Sequence, residues 1–173
     1  MNNMDAYENL CTRRSVRKFN DKKVEDSILE KIVYAGQCAP TGMNRQPIKM
    51  VVVRNKDLIQ KLSKMNAKIM GVDMDPFYGC DCLIIVFASP MVSPTYLYDG
   101  TLVMGNLMNA AHALNVSSCW IHRAKEMFET DEGKQLKKEW NIDEEYVGIG
   151  NCILGYSDEM TEIKERTSEV IWK

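Results

Sequence analysis

The chain is 173 residues long, and at about 150 residues per domain that amounts to one domain, able to bury a core without disulfide or metal staples. Hydrophobic residues are 45% and charged residues 27% of the total, and 22 Lys and Arg against 24 Asp and Glu leave a net charge of −2. That balance argues against a nucleic-acid binder working through overall positive charge, and no apolar run approaches the roughly 18 residues that span a bilayer, so no membrane partner is expected.

The first residues carry neither the basic nor the apolar stretch of a secretory signal, and six cysteines are too few for a disulfide framework. A cytoplasmic location with reduced thiols is the expectation. There is no repeat, no low-complexity tract and no linker. In chain order, residues 5–12 predict a short helix, and residues 24–39 a second one, with Ile28, Leu29, Ile32, Val33 and Ala35 at helical spacing and Pro40 to close it. Residues 48–53 predict a strand, 57–65 a helix, and 82–88 a strand that is apolar throughout and so buried on both faces. Residues 96–114 are helical by period but apolar around nearly the whole circumference, which requires burial in a core or against a partner subunit. A strand at 117–121, a charged helix at 133–140 and a strand at 146–154 follow. The polar tail, about 157–173, ends on Val170, Ile171 and Trp172, as if to dock on something. Helices and strands alternate without regular βαβ units, so the fold class is α+β.

Four segments carry chemistry. Residues 13–18 hold Arg13, Arg14, Ser15, Arg17 and Lys18, a set of forks, point charge and hydroxyl suited to a phosphate. In an extended segment Arg13, Ser15 and Arg17 would share a face. The plain alternatives are a solvated basic edge or an RNA contact, the latter without interleaved aromatics other than Phe19. Residues 39–47 form a loop with Pro40, Thr41, Gly42, Asn44, Arg45 and Gln46, whose amides suit a heterocycle edge or a row of hydroxyls. Lys164 and Arg166, two residues apart, fit a phosphate from an extended tail. At the end of a strand stand Cys119, Trp120, Ile121, His122 and Arg123; Cys119 and His122 could be half a zinc site, but a structural zinc needs four ligands and the only other cluster, Cys80 and Cys82, lies in a strand that reads as buried, so no metal is expected. His112 reads as a bonded core histidine. Hydrolase, P-loop and zinc-peptidase motifs are absent, and Gly148 and Gly150 do not complete a dinucleotide fingerprint.

In this order and spacing the segments resemble the nitroreductase family of flavin enzymes, from about Tyr7 to the end of the chain. Residues 13–17 are similar to the family's first flavin-phosphate motif, and 39–47 to its Pro-Ser-Ser-x-Asn-x-Gln-Pro loop. Residues 120–123 fall where the family sets backbone amides against the flavin N5 and O4, and residues 150–156 with Lys164 and Arg166 are similar to its last strand and second phosphate clamp. The resemblance implies a nitroreductase-like fold, a mixed or antiparallel central sheet flanked by helices, with the long helix at a homodimer interface. It implies FMN as cofactor, NAD(P)H as hydride donor and a small acceptor such as a nitroaromatic or quinone, served in ping-pong order.

By the same resemblance Arg13, Arg14, Ser15 and Arg17 hold FMN, Lys164 and Arg166 complete the phosphate clamp, and Trp120, Ile121, His122 and Arg123 face the ring. Pro40, Thr41, Gly42, Asn44 and Gln46 would approach from the other subunit. No protein acid, base or nucleophile is assigned, because the hard chemistry is the cofactor's. Two departures stand out: Thr41 and Gly42 replace the family's Ser-Ser, and residues 74–78 lack the Asn and Lys that longer members place there. A flavin-binding protein without turnover, a sensor or carrier, is the alternative.

Overall fold

The computed structural model describes residues 5–159 and 162–173. Four strands, β1 (Ile48–Val53), β2 (Cys82–Ala88), β3 (Ser117–Ile121) and β4 (Val147–Gly155), form one sheet in the order β1-β2-β4-β3. Every neighbouring pair of these strands is antiparallel. The sole parallel contact among the described residues is a bridge from Ser15 to Ser118, where Val16 N–H donates to Ser118 O at 3.0 Å. Residues 13–16 thus run beside β3 and cover part of an otherwise open sheet edge.

Helices cover both faces, which is why β2 is buried at every position. Cys82, Ile84, Val86 and Ala88 point to one face, against α2 (Asp26–Gln37) and α4 (Tyr96–Ala113), through Leu29, Ile32, Val103, Met104 and Leu107. Leu83, Ile85 and Phe87 point to the other, against α3 (Lys56–Met70), α5 (Ala124–Glu129) and α6 (Asp131–Glu139), through Ile59, Leu62, Met127, Phe128 and Leu136. The period-two alternation of a strand divides one apolar run between two cores. α1 (Ala6–Thr12) lies on α4, where Asn9 Nδ2 donates to Asn109 O at 3.0 Å.

The expected elements are present with shifted ends. α3 runs five residues beyond the predicted stop, from a cap in which Asn55 Oδ1 accepts from Leu58 N–H at 2.8 Å to Gly71 in the left-handed region. α5 was not predicted; Ala124, Met127 and Phe128, spaced three and four apart, seat it on the sheet. Within one chain the core takes only part of the apolar circumference of the long helix α4. Val103, Met104, Leu107 and Ala111 are buried, but Leu97, Tyr98 and Leu102 are exposed on its outer side. Residues 162–173 form no helix or strand and are exposed, with Trp172 90% accessible. Among the described residues no helix is long and apolar enough to cross a membrane.

Candidate functional site

The β3 edge gathers the first candidate segment. Arg13, Arg14 and Ser15 are half-buried there, while Arg17 and Lys18 are exposed. Arg14 Nη1 donates to Cys11 O at 2.8 Å and to Arg13 O at 2.6 Å. Its Nε and Nη2, together with Arg13 Nη1, are buried with no acceptor. Neither guanidinium takes part in an ion pair among the described residues. Guanidinium nitrogens buried without an acceptor are costly, and an anion set against them would supply the missing charge and acceptors. Arg14, Val16, His112, Ser117, Ser118 and Glu159 line a cleft of about 370 Å³ beside them.

Thr12 Oγ1 donates to Glu8 O at 2.7 Å and lies 2.9 Å from His112 Nε2. Burial first, then the charges of Arg13 and Arg14, hold the imidazole below its ordinary value of 6.5.

Four residues on, β3 ends in a sharp turn. Trp120 packs against Gly150, where an added Cβ would sit 2.7 Å from the indole Nε1. Ile121 is buried, His122 exposed, and Arg123 adopts φ +73°, unusual for a residue with a side chain. The carbonyls of this turn are bonded from the core: Asn66 Nδ2 donates to His122 O at 2.7 Å, and Asn151 Nδ2 lies 3.3 Å from Ile121 O and 3.4 Å from His122 O.

The loop before β1 is built differently. Met43, Asn44 and Gln46 have φ of +54°, +55° and +49°. Gln46 N–H donates to Thr41 Oγ1 at 3.1 Å, and Gln46 Nε2 to Asn44 Oδ1 at 3.1 Å. Its anchor is Asp99 of α4, buried to 3% exposure, which accepts from Gly42 N–H at 2.9 Å, Ser93 Oγ at 2.9 Å and Thr95 Oγ1 at 3.0 Å. A Cβ on Gly42 would come within 2.3 Å of that Thr95 oxygen. Thr95 is pinned by Asp99 and cannot yield cheaply, which explains glycine where the resemblance expects serine. Pro40, Asn44 and Gln46 are exposed.

One chain brings residues 13–18 and residues 119–123 together, since Ser15 and Trp120 both belong to the β3 edge. It keeps the loop apart: β1 and β3 are opposite edges of the sheet, three strand spacings or roughly 14 Å from one another. Lys164 and Arg166 are exposed in the tail. Larger cavities, about 650 Å³ along α6 and about 510 Å³ beside α3, are lined by none of the candidate residues. Residues 74–78 form a tight turn in which Asp75 accepts from Phe77 N–H at 2.9 Å and Gly79 N–H at 2.6 Å, with Phe77 buried beneath. The cysteines are unpaired, and burial pushes the Cys80 and Cys82 thiols up to about 12 and Cys152 higher still, which disfavours the thiolate in all three.

The model of the nitroreductase family matches residues 10–156. The chain belongs to that family. A relative from Archaeoglobus fulgidus, named "Putative NADH dehydrogenase/NAD(P)H nitroreductase", is 30% identical over 166 residues, 93% of this chain and 90% of the relative. One of the same name from Methanothermobacter thermautotrophicus is 27% identical over 120 residues, 68% of this chain but 60% of that relative's length. Among solved structures, a nitroreductase with bound FMN from Bacteroides fragilis superposes with a TM-score of 0.84 at 24% identity, covering 96% of this chain and 95% of its own. The nitroreductase fold is therefore common to both chains.

The signals for the anchoring residues of this nitroreductase-family chain were present in the sequence but unread. Asn151 is the one amide side chain in the buried run of β4, Asn66 falls on the buried stripe of α3, and Asp99 interrupts an apolar helix.

Proposed function

We propose that the protein is an FMN-dependent NAD(P)H oxidoreductase. The observation that carries this reading is the set of buried, unpartnered guanidinium nitrogens of Arg13 and Arg14 at the β3 edge. A phosphate supplies the missing charge and several acceptor oxygens at once, and Ser15 and Arg17 lie on the same segment. The residues present therefore fit the phosphate end of the cofactor found in the Bacteroides fragilis relative. When bound, the flavin supplies two-electron chemistry, accepting hydride from NAD(P)H and reducing a small acceptor such as a nitroaromatic or quinone in ping-pong order.

The chain's own residues bind, orient and enclose. Arg13, Arg14, Ser15 and Arg17 hold the phosphate and ribityl end, and the backbone of residues 120–123 faces the ring. Lys164 and Arg166 close on the phosphate when the tail, about 157–173, docks on a partner subunit. Pro40, Thr41, Gly42, Asn44 and Gln46 serve the site of the partner in a homodimer, because in one chain they stand on the far edge of the sheet. The exposed Leu97, Tyr98 and Leu102 on α4 supply an apolar face for that contact. The unpaired cysteines fit a reducing cytoplasm.

The test is a visible spectrum of the purified protein with the chromophore identified after denaturation, followed by NAD(P)H oxidation with a quinone or nitroaromatic. FMN at one per chain with turnover is expected. FMN without turnover leaves a flavin carrier, and a colourless protein that refuses added FMN overturns the reading.

A further inference from the structure

Asn66 in α3 and Asn151 in β4 are both fully buried, yet they come from separate elements to one turn and share its His122 carbonyl. Asn66 Nδ2 reaches His122 O at 2.7 Å, while Asn151 Nδ2 spans Ile121 O at 3.3 Å and His122 O at 3.4 Å. Their remaining polar contact is the Met127 sulfur, 3.3 Å from Asn66 Nδ2 and 3.6 Å from Asn151 Nδ2. The amide orientation follows from the acceptors, since a flipped amide would set oxygen against oxygen. In consequence both Oδ1 atoms are buried with no donor. The elements do not require this arrangement: an apolar side chain at either position would continue the buried stripe of α3 and the buried run of β4.

What the two amides fix is direction. In a trans peptide the C=O and the following N–H point opposite ways. Drawing the carbonyls of Ile121 and His122 inward, toward α3 and β4, turns the N–H groups of His122 and Arg123 outward, and it holds Arg123 at φ +73°. A donor on a carbonyl also polarises the N–H of the same peptide. We propose that Asn66 and Asn151 are positioning residues that aim and strengthen the His122 and Arg123 amides as hydrogen-bond donors to the flavin ring. This rests on the flavin reading above.

The experiment uses FMN-loaded protein, wild type beside Asn66→Leu and Asn151→Leu, which keep the number and branching of the side-chain heavy atoms and remove the donors. FMN affinity is read from quenching of flavin fluorescence, and the ring hydrogen bond from the C4=O stretching band of FMN labelled at C4. Each variant is expected to bind FMN about tenfold more weakly, with the C4=O band moved to higher frequency. A loss of packing alone would not move that band. Folded variants with wild-type affinity and an unmoved band overturn the proposal. Should the leucine variants not fold, amide exchange in the wild-type protein decides: FMN slowing His122 and Arg123 supports it, and unchanged exchange at both overturns it. Wild-type protein that takes up no FMN overturns the flavin reading itself, and this inference with it.

Discussion

The turn at residues 120–123 and the loop at residues 41–46 solve one problem in two ways. Each places residues with side chains at positive φ, Arg123 in the first and Met43, Asn44 and Gln46 in the second, and each is held by buried polar side chains from a distant element. The turn is held by neutral amides donating to its carbonyls. The loop is held by a carboxylate accepting from its Gly42 N–H and from two hydroxyls. The first arrangement presents backbone beside residues 13–16 of its own chain; the second presents exposed side chains on the opposite sheet edge. Under the proposed function, one half of the site is completed by folding and the other serves only when a second copy meets it.

The largest effect that would break the comparison is at the loop's anchor. Asp99→Ala should cost about 3 kcal/mol, because Gly42 N–H and the Ser93 and Thr95 hydroxyls all lose a charged acceptor. Urea unfolding should show a lower midpoint with an unchanged slope. On the other edge, Arg13→Ala should weaken FMN binding by about 10- to 100-fold, the equivalent of 1.5–3 kcal/mol. Its thermal midpoint should not fall, since the change removes a buried nitrogen that has no protein partner; a marked drop would mean the guanidinium serves the fold instead. Gly42→Ala should cost about 1–2 kcal/mol through the clash with Thr95. Combined with Thr95→Ala it should show a coupling of at least about 0.5 kcal/mol in a double-mutant cycle, which additive losses would contradict.

The smallest effect is a pH dependence at the β3 edge. His112 has its pKa lowered by burial and by Arg13 and Arg14, so the unfolded chain binds its proton first. The stability it contributes is complete above 6.5 and is lost as pH falls from 6.5 through the lower folded value. His112→Gln should flatten the urea midpoint against pH in that acidic window, and an unchanged slope would show that other groups carry the titration.

Much of this was legible in residue order. The alternating burial of β2 follows from its unbroken apolar run, and α2 and α4 follow from their helical period. The four site segments were visible as residue types in sequence. α5 was missed because six residues give too short a window for a period to show. How the apolar surface of α4 divides between the core and its exposed outer face was not legible, because apolar residues on the two sides look alike in a sequence.

By itself, then, the sequence determined the elements other than α5, the α+β class, the family and the segments proposed to bear its chemistry, all properties of neighbouring residues and their spacing. Only the tertiary structure decided that Arg13 Nη1 and Arg14 Nε and Nη2 are buried without acceptors, that Gly42 must be glycine, and that the loop and the β3 edge are far apart. It also decided that Asn66 and Asn151 meet at one turn. These depend on contacts such as Asn66 to His122 and Gly42 to Asp99, 56 and 57 residues apart. Strand order and helix packing bring such pairs together, and no local period records them.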